Sequence, residues 1–265
     1  MRTSISAENP FGPNRLGFAW QHVPPDAQAH LDFGCHDGTF LAALASKNIA
    51  RRVGIDCSLD AIEQARLRHG NIEWLHSPRT VPLPFADATF DSISLLDVLE
   101  HVYEQRELLA ELARVLKRGG CLIVTVPRQY ALSFLDLGNL KFRFPRLHRW
   151  FYSLRHGAAA YRQRYLDNPD GLMGDVSARK RWHEHFRPQR LERMLNEQGL
   201  QVRVWDASGF FTRLISPLFL PLLALAPLRA VERRLVAWDI AHFASMNLYC
   251  VASKPSTADY PIGGS

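Results

Sequence analysis

Two acidic residues and two glycines have the types and the spacing needed to bind a nucleotide-like ligand. Asp32, Gly34 and Gly38 lie in and directly after a short apolar run, and Asp56 ends the next apolar run, 18 residues beyond Gly38. Glycines between a strand and a helix let the backbone approach a ligand where a Cβ atom would collide with it. A carboxylate about 20 residues farther along suits a ribose, because it can accept hydrogen bonds from both ribose hydroxyls. The four residues together predict a ligand site at the ends of two neighbouring strands.

The elements that must position these residues are strands that alternate with helices, which is typical of a parallel sheet with right-handed crossovers. Predicted strands occupy residues 28–33, 51–56, 71–76, 92–96, 121–126, 200–206 and 246–252. Predicted helices occupy residues 38–47, 104–116, 188–198 and 229–241, and another begins after Ser58. The helix after Ser58 is expected to bury one face, made of Leu59, Ile62, Ala65 and Leu67. Gly119-Gly120 is expected to end helix 104–116.

Six motifs follow one another along the first half of the chain. They are Asp32-x-Gly34-x-x-x-Gly38, Gly54-Ile55-Asp56-x-Ser58, Leu83-Pro84-Phe85, Phe90-Asp91, Leu99-Glu100-His101-Val102 and Val115-Leu116-Lys117-x-Gly119-Gly120. In this order they resemble class I S-adenosylmethionine (SAM) dependent methyltransferases, in the branch of small-molecule and quinone O-methyltransferases with a methyltransferase type 11-like domain. The likeness covers roughly residues 28–127. It implies a Rossmann-like doubly wound α/β fold with a seven-stranded sheet, mostly parallel with an antiparallel last strand, and a helical insertion between strands five and six.

The resemblance also implies a set of residues that bind SAM. Asp32 would orient the methionine amino end, and Asp56 would accept hydrogen bonds from the ribose. Asp97, just after strand four, would steer the substrate or the cofactor's amino group. The predicted cofactor-binding residues are Asp32, Gly34, His36, Gly38, Asp56, Cys57, Ser77, Leu95, Leu96 and Asp97.

The chain departs from the family pattern at two places in this site. His36 stands where the family usually has a third glycine, so its side chain must point away from the cofactor or narrow the pocket. After strand three the family often has an acid that binds the adenine amino group, whereas residues 76–80 contain no carboxylate. Ser77 or the backbone is expected to accept that hydrogen bond instead.

Methyl transfer to a hydroxyl is assisted by a base, because a hydroxyl has a high pKa. His101 is the first candidate, since it follows strand four at the ligand edge and imidazole titrates near neutral pH. His183 and His185 are the second candidates, brought to the site by the insertion before them. This pair also suggests metal ligands, but no third ligand accompanies it, so no metal site is predicted.

The composition indicates a globular protein with an unevenly distributed charge. The 265 residues suffice for a single methyltransferase domain, predicted over 1–265 with a SAM-binding core at 28–127. The net charge of +6 comes from residues 141–234, which hold 18 Lys/Arg and 8 Asp/Glu. Such a segment attracts an anionic partner or forms a solvated surface. The four cysteines form no C-x-x-C pair, which favours a reducing, cytoplasmic location.

Two segments after the core interrupt the alternation. Residues 128–187 are predicted to form a basic and aromatic insertion that serves as a lid. Its mixed cations and aromatics over 141–152 suit a membrane surface or a phosphorylated substrate, or the aromatics pack on the domain. Residues 210–241 are predicted to be an apolar helical segment, whose run 214–228 holds three prolines and is too short for a span. It suits peripheral contact with an anionic membrane at the inner face, or burial against the sheet.

These features predict a SAM-dependent methyltransferase that methylates a hydroxyl of a small or lipid-linked acceptor, such as a quinone-like, glycan or natural-product intermediate. An RNA methyltransferase is a second hypothesis, because the basic insertion suits phosphates. The Asn-Pro-Pro-Tyr type motif for exocyclic amines is absent after strand four, which disfavours nucleic acid. A third hypothesis is a catalytically degenerate binding protein, motivated by His36 and by the missing adenine-binding acid.

Overall fold

The computed structural model describes residues 9–12, 14–129, 144–165, 184–207 and 247–256, together with Val231, Arg234, Leu235 and Trp238. Seven strands form one sheet in the order β3-β2-β1-β4-β5-β7-β6. Their bounds are β1 Ala29–Phe33, β2 Arg51–Asp56, β3 Glu73–His76, β4 Phe90–Leu96, β5 Leu116–Pro127, β6 Gln201–Ala207 and β7 Asn247–Ser253.

The pairing of the strands confirms the predicted doubly wound fold. Strands β1 to β5 pair in parallel, and β7 lies antiparallel between β5 and β6. The chain order reverses at β1, which lies between β2 and β4. In such sheets a ligand binds outside the carboxyl ends of the strands at this reversal. The predicted site residues Asp32 and Asp56 lie at or next to those ends.

Helices cover the two faces of the sheet and connect its parallel strands. Their bounds are α1 Arg15–His22, α2 Thr39–Ala43, α3 Leu59–Arg68, α4 Gln105–Val115, α5 Pro145–His156, α6 Ala158–Tyr165 and α7 Pro188–Asn196, with 3-10 turns at Leu44–Lys47 and Leu99–His101. Ser58 caps α3 as predicted, since its side chain accepts a hydrogen bond from the Ala61 N–H at 3.3 Å. Helices α5 and α6 form the predicted helical insertion between β5 and β6.

The core lies on both faces of the sheet, so the central strands are buried on both sides. All five residues of β1 are buried, as expected for a parallel strand covered by helices. On one face, Leu108, Leu109 and Leu112 of α4 pack in the larger apolar cluster. On the other face, Phe18 of α1 and Leu41 of α2 pack in a second cluster. These two layers hold the strand ends that carry the site.

The predicted buried face of α3 is partly wrong. Its buried residues are Ala61, Ile62 and Ala65. Leu59 is 44% exposed and Leu67 is 87% exposed, because both lie on the opposite side of a helix with 3.6 residues per turn. Only a contiguous stripe of α3 can contact the sheet.

Gly119-Gly120 does not end a helix. Helix α4 ends at Val115, and both glycines lie in β5, where its pairing with β4 shifts register between Phe90 and Ser92. A Cβ atom on Gly120 would lie 2.8 Å from the Asp91 carbonyl oxygen, so glycine allows the close approach of the two strands.

The later segments are described only in part. Nearly all of the predicted apolar segment 210–241 lies outside the described residues, as does much of the insertion 128–187. Among the helices that the structure does describe, none has the length and apolarity to cross a bilayer.

Candidate functional site

The turn at residues 34–38 joins the end of β1 to α2 and is attached to the end of β2. The backbone N–H groups of Gly34 and Cys35 both donate to the Ile55 carbonyl oxygen, at 2.8 and 3.1 Å. The Gly38 N–H donates to the Cys35 carbonyl oxygen at 3.0 Å and closes the turn. The turn and Asp56 therefore form one unit.

Asp56 is held in place by two backbone amides. Its Oδ2 accepts from the His36 N–H at 2.8 Å, and its Oδ1 accepts from the Ser58 N–H at 2.9 Å. A carboxylate has about four lone-pair positions, so each oxygen keeps capacity for a further donor. A fixed carboxylate that still accepts at both oxygens suits a ribose diol, as predicted for Asp56.

The glycines of the turn are required by protein packing and by backbone conformation. A Cβ atom on Gly34 would lie 2.3 Å from Val98 Cγ2, and one on Gly38 would lie 2.2 Å from Trp74 Cη2. Both glycines also have left-handed φ angles, of 82° and 77°. Protein packing against Val98 and Trp74 thus already requires glycine at both positions, and the approach of a ligand to this backbone stays a prediction.

His36 adopts the backbone conformation that a third glycine would adopt. Its φ of 46° is left-handed, which disfavours most side chains but is tolerated by histidine more than by most residues. Its side chain is 72% exposed, with Nδ1 3.8 Å from Asp37 Oδ1. The histidine thus preserves the turn and still directs its N–H to Asp56.

Three carboxylates surround the turn and make it electronegative. Burial raises the pKa of Asp32 to about 7, the Ser94 hydrogen bond acts in the opposite direction, and the charge of Asp56 adds to the rise. Burial likewise raises the pKa of the Cys35 thiol above its usual range, and the charges of Asp32, Asp56 and Asp37 raise it further. Such a site favours a cationic ligand over an anionic one.

Asp37 stays ionised at the start of α2. Its partial burial alone would raise its pKa, but hydrogen bonds from Thr39 and the charges of His36 and Arg68 hold the pKa below its usual range. Arg68 Nη1 donates to Asp37 Oδ2 at 2.9 Å and so ties the turn to α3.

Asp32 belongs to a buried row of four polar side chains that the sequence analysis did not identify. Ser94 donates to Asp32 Oδ1 at 2.5 Å, and Ser94 Oγ also lies 3.0 Å from His30 Nε2. His30 Nδ1 lies 2.8 Å from Ser92 Oγ. The sequence did carry a signal, since His30 and Asp32 are two residues apart on β1, and Ser92 and Ser94 are two residues apart on β4.

Residues 76–79, at the end of β3 and just after it, lie beside Asp56. The Ser77 N–H donates to the Asp56 carbonyl oxygen at 2.9 Å, and His76 Nε2 donates to the Cys57 carbonyl oxygen at 3.0 Å. The Ser77 hydroxyl donates to the Arg79 carbonyl oxygen at 2.7 Å, so its oxygen keeps lone pairs that can accept. Cys57 and Ser77 therefore lie next to Asp56, as the predicted adenine side of the site requires.

Asp97, at the end of β4, is held by two partners that were not predicted. Thr125 Oγ1 donates to Asp97 Oδ1 at 2.7 Å, and Arg15 Nη1 lies 2.9 Å from Asp97 Oδ2. The φ of Asp97 is left-handed, at 54°, and turns the chain away from the sheet after Leu95 and Leu96. Helix α1 thus reaches the same sheet edge through Arg15.

His101 lies in the 3-10 turn that follows β4. Its side chain is 17% exposed, with Nε2 3.8 Å from Glu100 Oε1. The Gln105 amide donates to the Leu99 carbonyl oxygen at 2.9 Å and to Glu184 Oε2 at 2.7 Å. Gln105 therefore connects the turn of His101 to the segment that carries His185.

His185 lies beside the carboxyl end of β5. The next residue, Phe186, is fully buried and donates its N–H to the Pro127 carbonyl oxygen at 2.8 Å. Gln129 N–H donates to the Phe186 carbonyl oxygen at 2.9 Å. His183 lies outside the described residues. No group of three or more His, Cys, Asp or Glu side chains that could hold a metal occurs in the described part of the chain.

Comparison with known proteins agrees with this arrangement of the turn and strands. Residues 31–124 match the family described as a methyltransferase domain. This part of the chain, about a third of its length, is similar to methyltransferase domains. It contains the turn, Asp32, Asp56 and His101, so these features belong to the matched region.

Relatives of the methyltransferase domain include two named bacterial proteins. A demethylmenaquinone methyltransferase of Clavibacter sepedonicus is 36% identical over 105 residues, which are 38% of this chain and 42% of the relative. An S-adenosylmethionine-dependent methyltransferase of Mycolicibacterium smegmatis is 31% identical over 104 residues, 39% of each chain. The chain thus spans less than half the length of these curated relatives.

A solved structure extends the likeness in fold beyond the matched region. A SAM-dependent methyltransferase from Methanosarcina mazei superimposes with a TM-score of 0.52 at 18% identity, over 90% of this chain and 97% of the other. At this identity the likeness concerns the fold alone.

Proposed function

We propose that the protein is a SAM-dependent methyltransferase whose acceptor is a hydroxyl of a small or lipid-linked molecule. The observation that carries the proposal is Asp56, whose carboxylate is fixed by the amides of His36 and Ser58 beside the buried Asp32. The similarity of residues 31–124 to methyltransferase domains and the names of the two bacterial relatives support it.

The charge of the site favours SAM over a dinucleotide. A dinucleotide brings an anionic pyrophosphate to the glycine turn, where helix N–H groups normally bind it. Here Asp32, Asp37 and Asp56 surround that turn, and repulsion from them would oppose a pyrophosphate. SAM carries a sulfonium and an ammonium group, both cationic, and a ribose diol for Asp56.

The residues of this chain would act mainly by binding and orientation. SAM supplies an activated methyl group, so the protein must hold the acceptor oxygen in line with it. His101, in the turn after β4, is proposed as the base that takes the acceptor's proton. His185 is an alternative, because the next residue, Phe186, pairs with the end of β5. His183 is kept as a further alternative from the sequence alone.

The surroundings of β5 support an aromatic or apolar acceptor. A cleft of about 300 Å³ lies where β5, β6 and β7 meet at the ligand edge of the sheet, and Arg128, Trp205 and Leu248 contribute to its lining. The carboxylate of Asp206 also lines the cleft, so it combines one cation, one anion and an aromatic ring, which suit a planar acceptor with polar substituents. The relative named demethylmenaquinone methyltransferase makes a quinone-like phenol the first acceptor to test.

Helix α5 supports an acceptor that is linked to lipid. Its residues Leu147, Trp150, Phe151 and Leu154 are each more than half exposed, and none of its side chains is buried. They recur at helical spacing on one face, while Arg146, Arg149 and Arg155 supply positive charge. A basic helix with an exposed apolar face is typical of peripheral contact with an anionic membrane.

The proposal is tested by calorimetric titration of the full chain with SAM and with S-adenosylhomocysteine, using NADH as the dinucleotide control. We expect micromolar binding of both adenosyl ligands and no heat from NADH. Transfer of a labelled methyl group to simple phenols then tests a hydroxyl acceptor. Transfer to demethylmenaquinone, whose missing methyl group belongs on a ring carbon, would instead contradict a hydroxyl acceptor. Activity on RNA instead would support the RNA hypothesis, and failure to bind any adenosyl ligand would overturn the proposal.

A further inference from the structure

A continuous row of polar side chains runs through the buried interior between β1 and β4. His30 and Asp32 lie two apart on β1, and their partners in register on β4 are Ser92 and Ser94. The exposed fractions of the four residues are 0% for His30, Ser92 and Ser94, and 3% for Asp32. The row runs from Ser92 through His30 and Ser94 to Asp32 with contacts of 2.8, 3.0 and 2.5 Å.

The contacts of the row fit two arrangements of protons, one with Asp32 ionised and one with Asp32 protonated on Oδ1, the oxygen that Ser94 contacts. The Ser94 hydroxyl also has the Leu31 carbonyl oxygen at 3.5 Å, a longer contact outside the row. A serine hydroxyl has one proton to donate, and a neutral imidazole has one N–H and one acceptor nitrogen. When Asp32 is a carboxylate, Ser94 donates to it and must accept from His30 Nε2–H. His30 Nδ1 then accepts from Ser92.

The second arrangement reverses every hydrogen bond of the row. When Asp32 is protonated, it donates to the Ser94 oxygen, and Ser94 donates to His30 Nε2. His30 then carries its proton on Nδ1 and donates to Ser92. One proton is taken up from solvent in this change, and no bond between heavy atoms is made or broken.

We infer that His30 and Ser94 are positioning residues for Asp32, in a relay where the tautomer of His30 follows the protonation state of Asp32. The inference rests on the proposed function in one respect, namely that Asp32 faces the ammonium group of SAM. A bound ammonium would select the carboxylate, and with it the Nε2–H tautomer. Binding of the cofactor would therefore release one proton from Asp32, and the hydrogen bonds of the row would reverse without any proton leaving through Ser92.

The surroundings keep the histidine neutral, which a tautomeric relay needs. Burial, and secondarily the positive charge of Lys47, lower the pKa of His30 to about 3. The Phe40 ring packs edge-on against His30 with centroids 6.0 Å apart. Asp56 on β2 and the Cys35 thiol are the other titratable groups that interact with Asp32.

The relay is tested by NMR of the full chain labelled with ¹⁵N in histidine and with ¹³C in aspartate. Long-range ¹⁵N shifts distinguish the two tautomers, and the spectrum of His30→Gln assigns the His30 signals by difference. Without SAM, we expect the His30 tautomer and the Asp32 carboxyl shift to titrate together, with one midpoint near pH 7. A single His30 tautomer across the titration of Asp32, or an imidazolium, would overturn the relay.

A matched pair of variants separates the relay from packing. Ser94→Ala cuts the row between His30 and Asp32, so the tautomer should no longer follow Asp32. Ser92→Ala removes a hydroxyl of the same kind at the other end of the row and leaves Ser94 in place. The tautomer of His30 should therefore still follow the protonation of Asp32. If both variants behaved alike, Ser94 would not be the connection. Where Ser94→Ala does not fold, the wild-type titration alone decides.

A calorimetric arm connects the relay to SAM. In buffers of different ionisation enthalpy, SAM binding at pH 6 should release close to one proton from the wild type and none from Asp32→Asn. Binding of SAM without proton release would refute the link between the ammonium group and Asp32. If SAM did not bind at all, the proposed function would be refuted. The NMR titration without SAM tests the relay independently of that result.

Discussion

The carboxylate of Asp56 holds the backbone of His36, with Oδ2 accepting the His36 N–H at 2.8 Å. Ser58 uses the other oxygen through its own N–H, at 2.9 Å. Asp56 therefore connects β2, the glycine turn and the start of α3 before any ligand binds. Its substitution should affect both the ligand site and the stability of the turn.

Asp56→Ala should weaken SAM binding by at least about tenfold, or about 1.4 kcal/mol, because the ribose loses its acceptor. Asp60→Ala is the matched control, since Asp60 is an exposed carboxylate in the first turn of α3. Calorimetry measures both affinities, and circular dichroism verifies that each variant is folded. Equal affinities for Asp56→Ala and wild type would place the ribose elsewhere.

The affinity for SAM should fall as the pH drops below about 7. Burial raises the pKa of Asp32 to about 7 in the free protein, and a cationic ligand binds the carboxylate form of Asp32. Affinity should approach a loss of about tenfold per pH unit once Asp32 is mostly protonated. Asp32→Asn should bind SAM weakly, and its affinity for SAM should not change with pH between pH 5.5 and 8. A steep slope retained in Asp32→Asn would assign the titration to another group.

His30→Gln should change how stability depends on pH. The pKa of His30 is about 3 in the folded state against 6.5 for the free side chain, so the unfolded chain binds more protons between these values. The stability that neutral His30 contributes is present above pH 6.5 and is lost as the pH falls toward 3. Asp32 acts oppositely, because its raised pKa contributes stability below about 4 that is lost as the pH rises through 7.

Removing His30 should leave the contribution of Asp32 uncompensated. Urea unfolding at pH 4.5 and 7.5 should show that His30→Gln loses less stability on acidification than the wild type does. His156→Gln, at an exposed position of α5, serves as the control and should behave as wild type. If His30→Gln lost as much unfolding free energy between pH 7.5 and pH 4.5 as the wild type does, His30 would not be neutral and buried.

Gly34→Ala should destabilise the domain by at least about 2 kcal/mol. The new Cβ would lie 2.3 Å from Val98 Cγ2, and a left-handed φ costs an alanine about 1 to 2 kcal/mol. Adding Val98→Ala should remove the steric contribution to the destabilisation, whereas the cost of the left-handed φ should remain. Urea denaturation of the two single variants and the double variant measures the coupling. Strict additivity would mean that the two side chains do not meet.

Trp150→Ala with Phe151→Ala should reduce binding to anionic phosphatidylglycerol vesicles by more than about tenfold. Two exposed aromatic side chains of α5 would lose their burial in the interface. Leu67→Ala is the control, because Leu67 is an exposed apolar residue on α3. Co-sedimentation measures binding. A wild type that does not sediment with the vesicles would refute the proposed membrane contact.

The sequence predicted the strands and the acidic residues of the site for a clear physical reason. Buried parallel strands are short apolar runs, and Asp56 ends such a run. The packing role of Gly34 could not be predicted, because Val98 is distant in sequence and a glycine that approaches a ligand has the same local signature. The partnership of Asp97 with Arg15 is hidden for the same reason, since it joins α1 to β4.

The row that contains Asp32 was missed for a different reason. The spacing of two residues places His30 and Asp32 on the same face of β1, but a strand buried on both faces has no alternation of polar and apolar residues to show what packs on that face. Only the register of β1 with β4 brings His30 opposite Ser92 and Asp32 opposite Ser94. Register is a property of the pair of strands, and one strand's sequence does not reveal it.

The two hydrogen bonds of Gln105 affect what happens when the insertion 128–187 is replaced by that of a relative. Its amide joins the turn of His101 to Glu184, at the end of the insertion. An insertion transplanted from a relative would replace Glu184 and remove one of the supports of that turn. The contacts of the insertion and the position of His101 would then change together. A chimaera of this protein therefore needs a carboxylate at position 184 if the insertion is to be exchanged without moving His101.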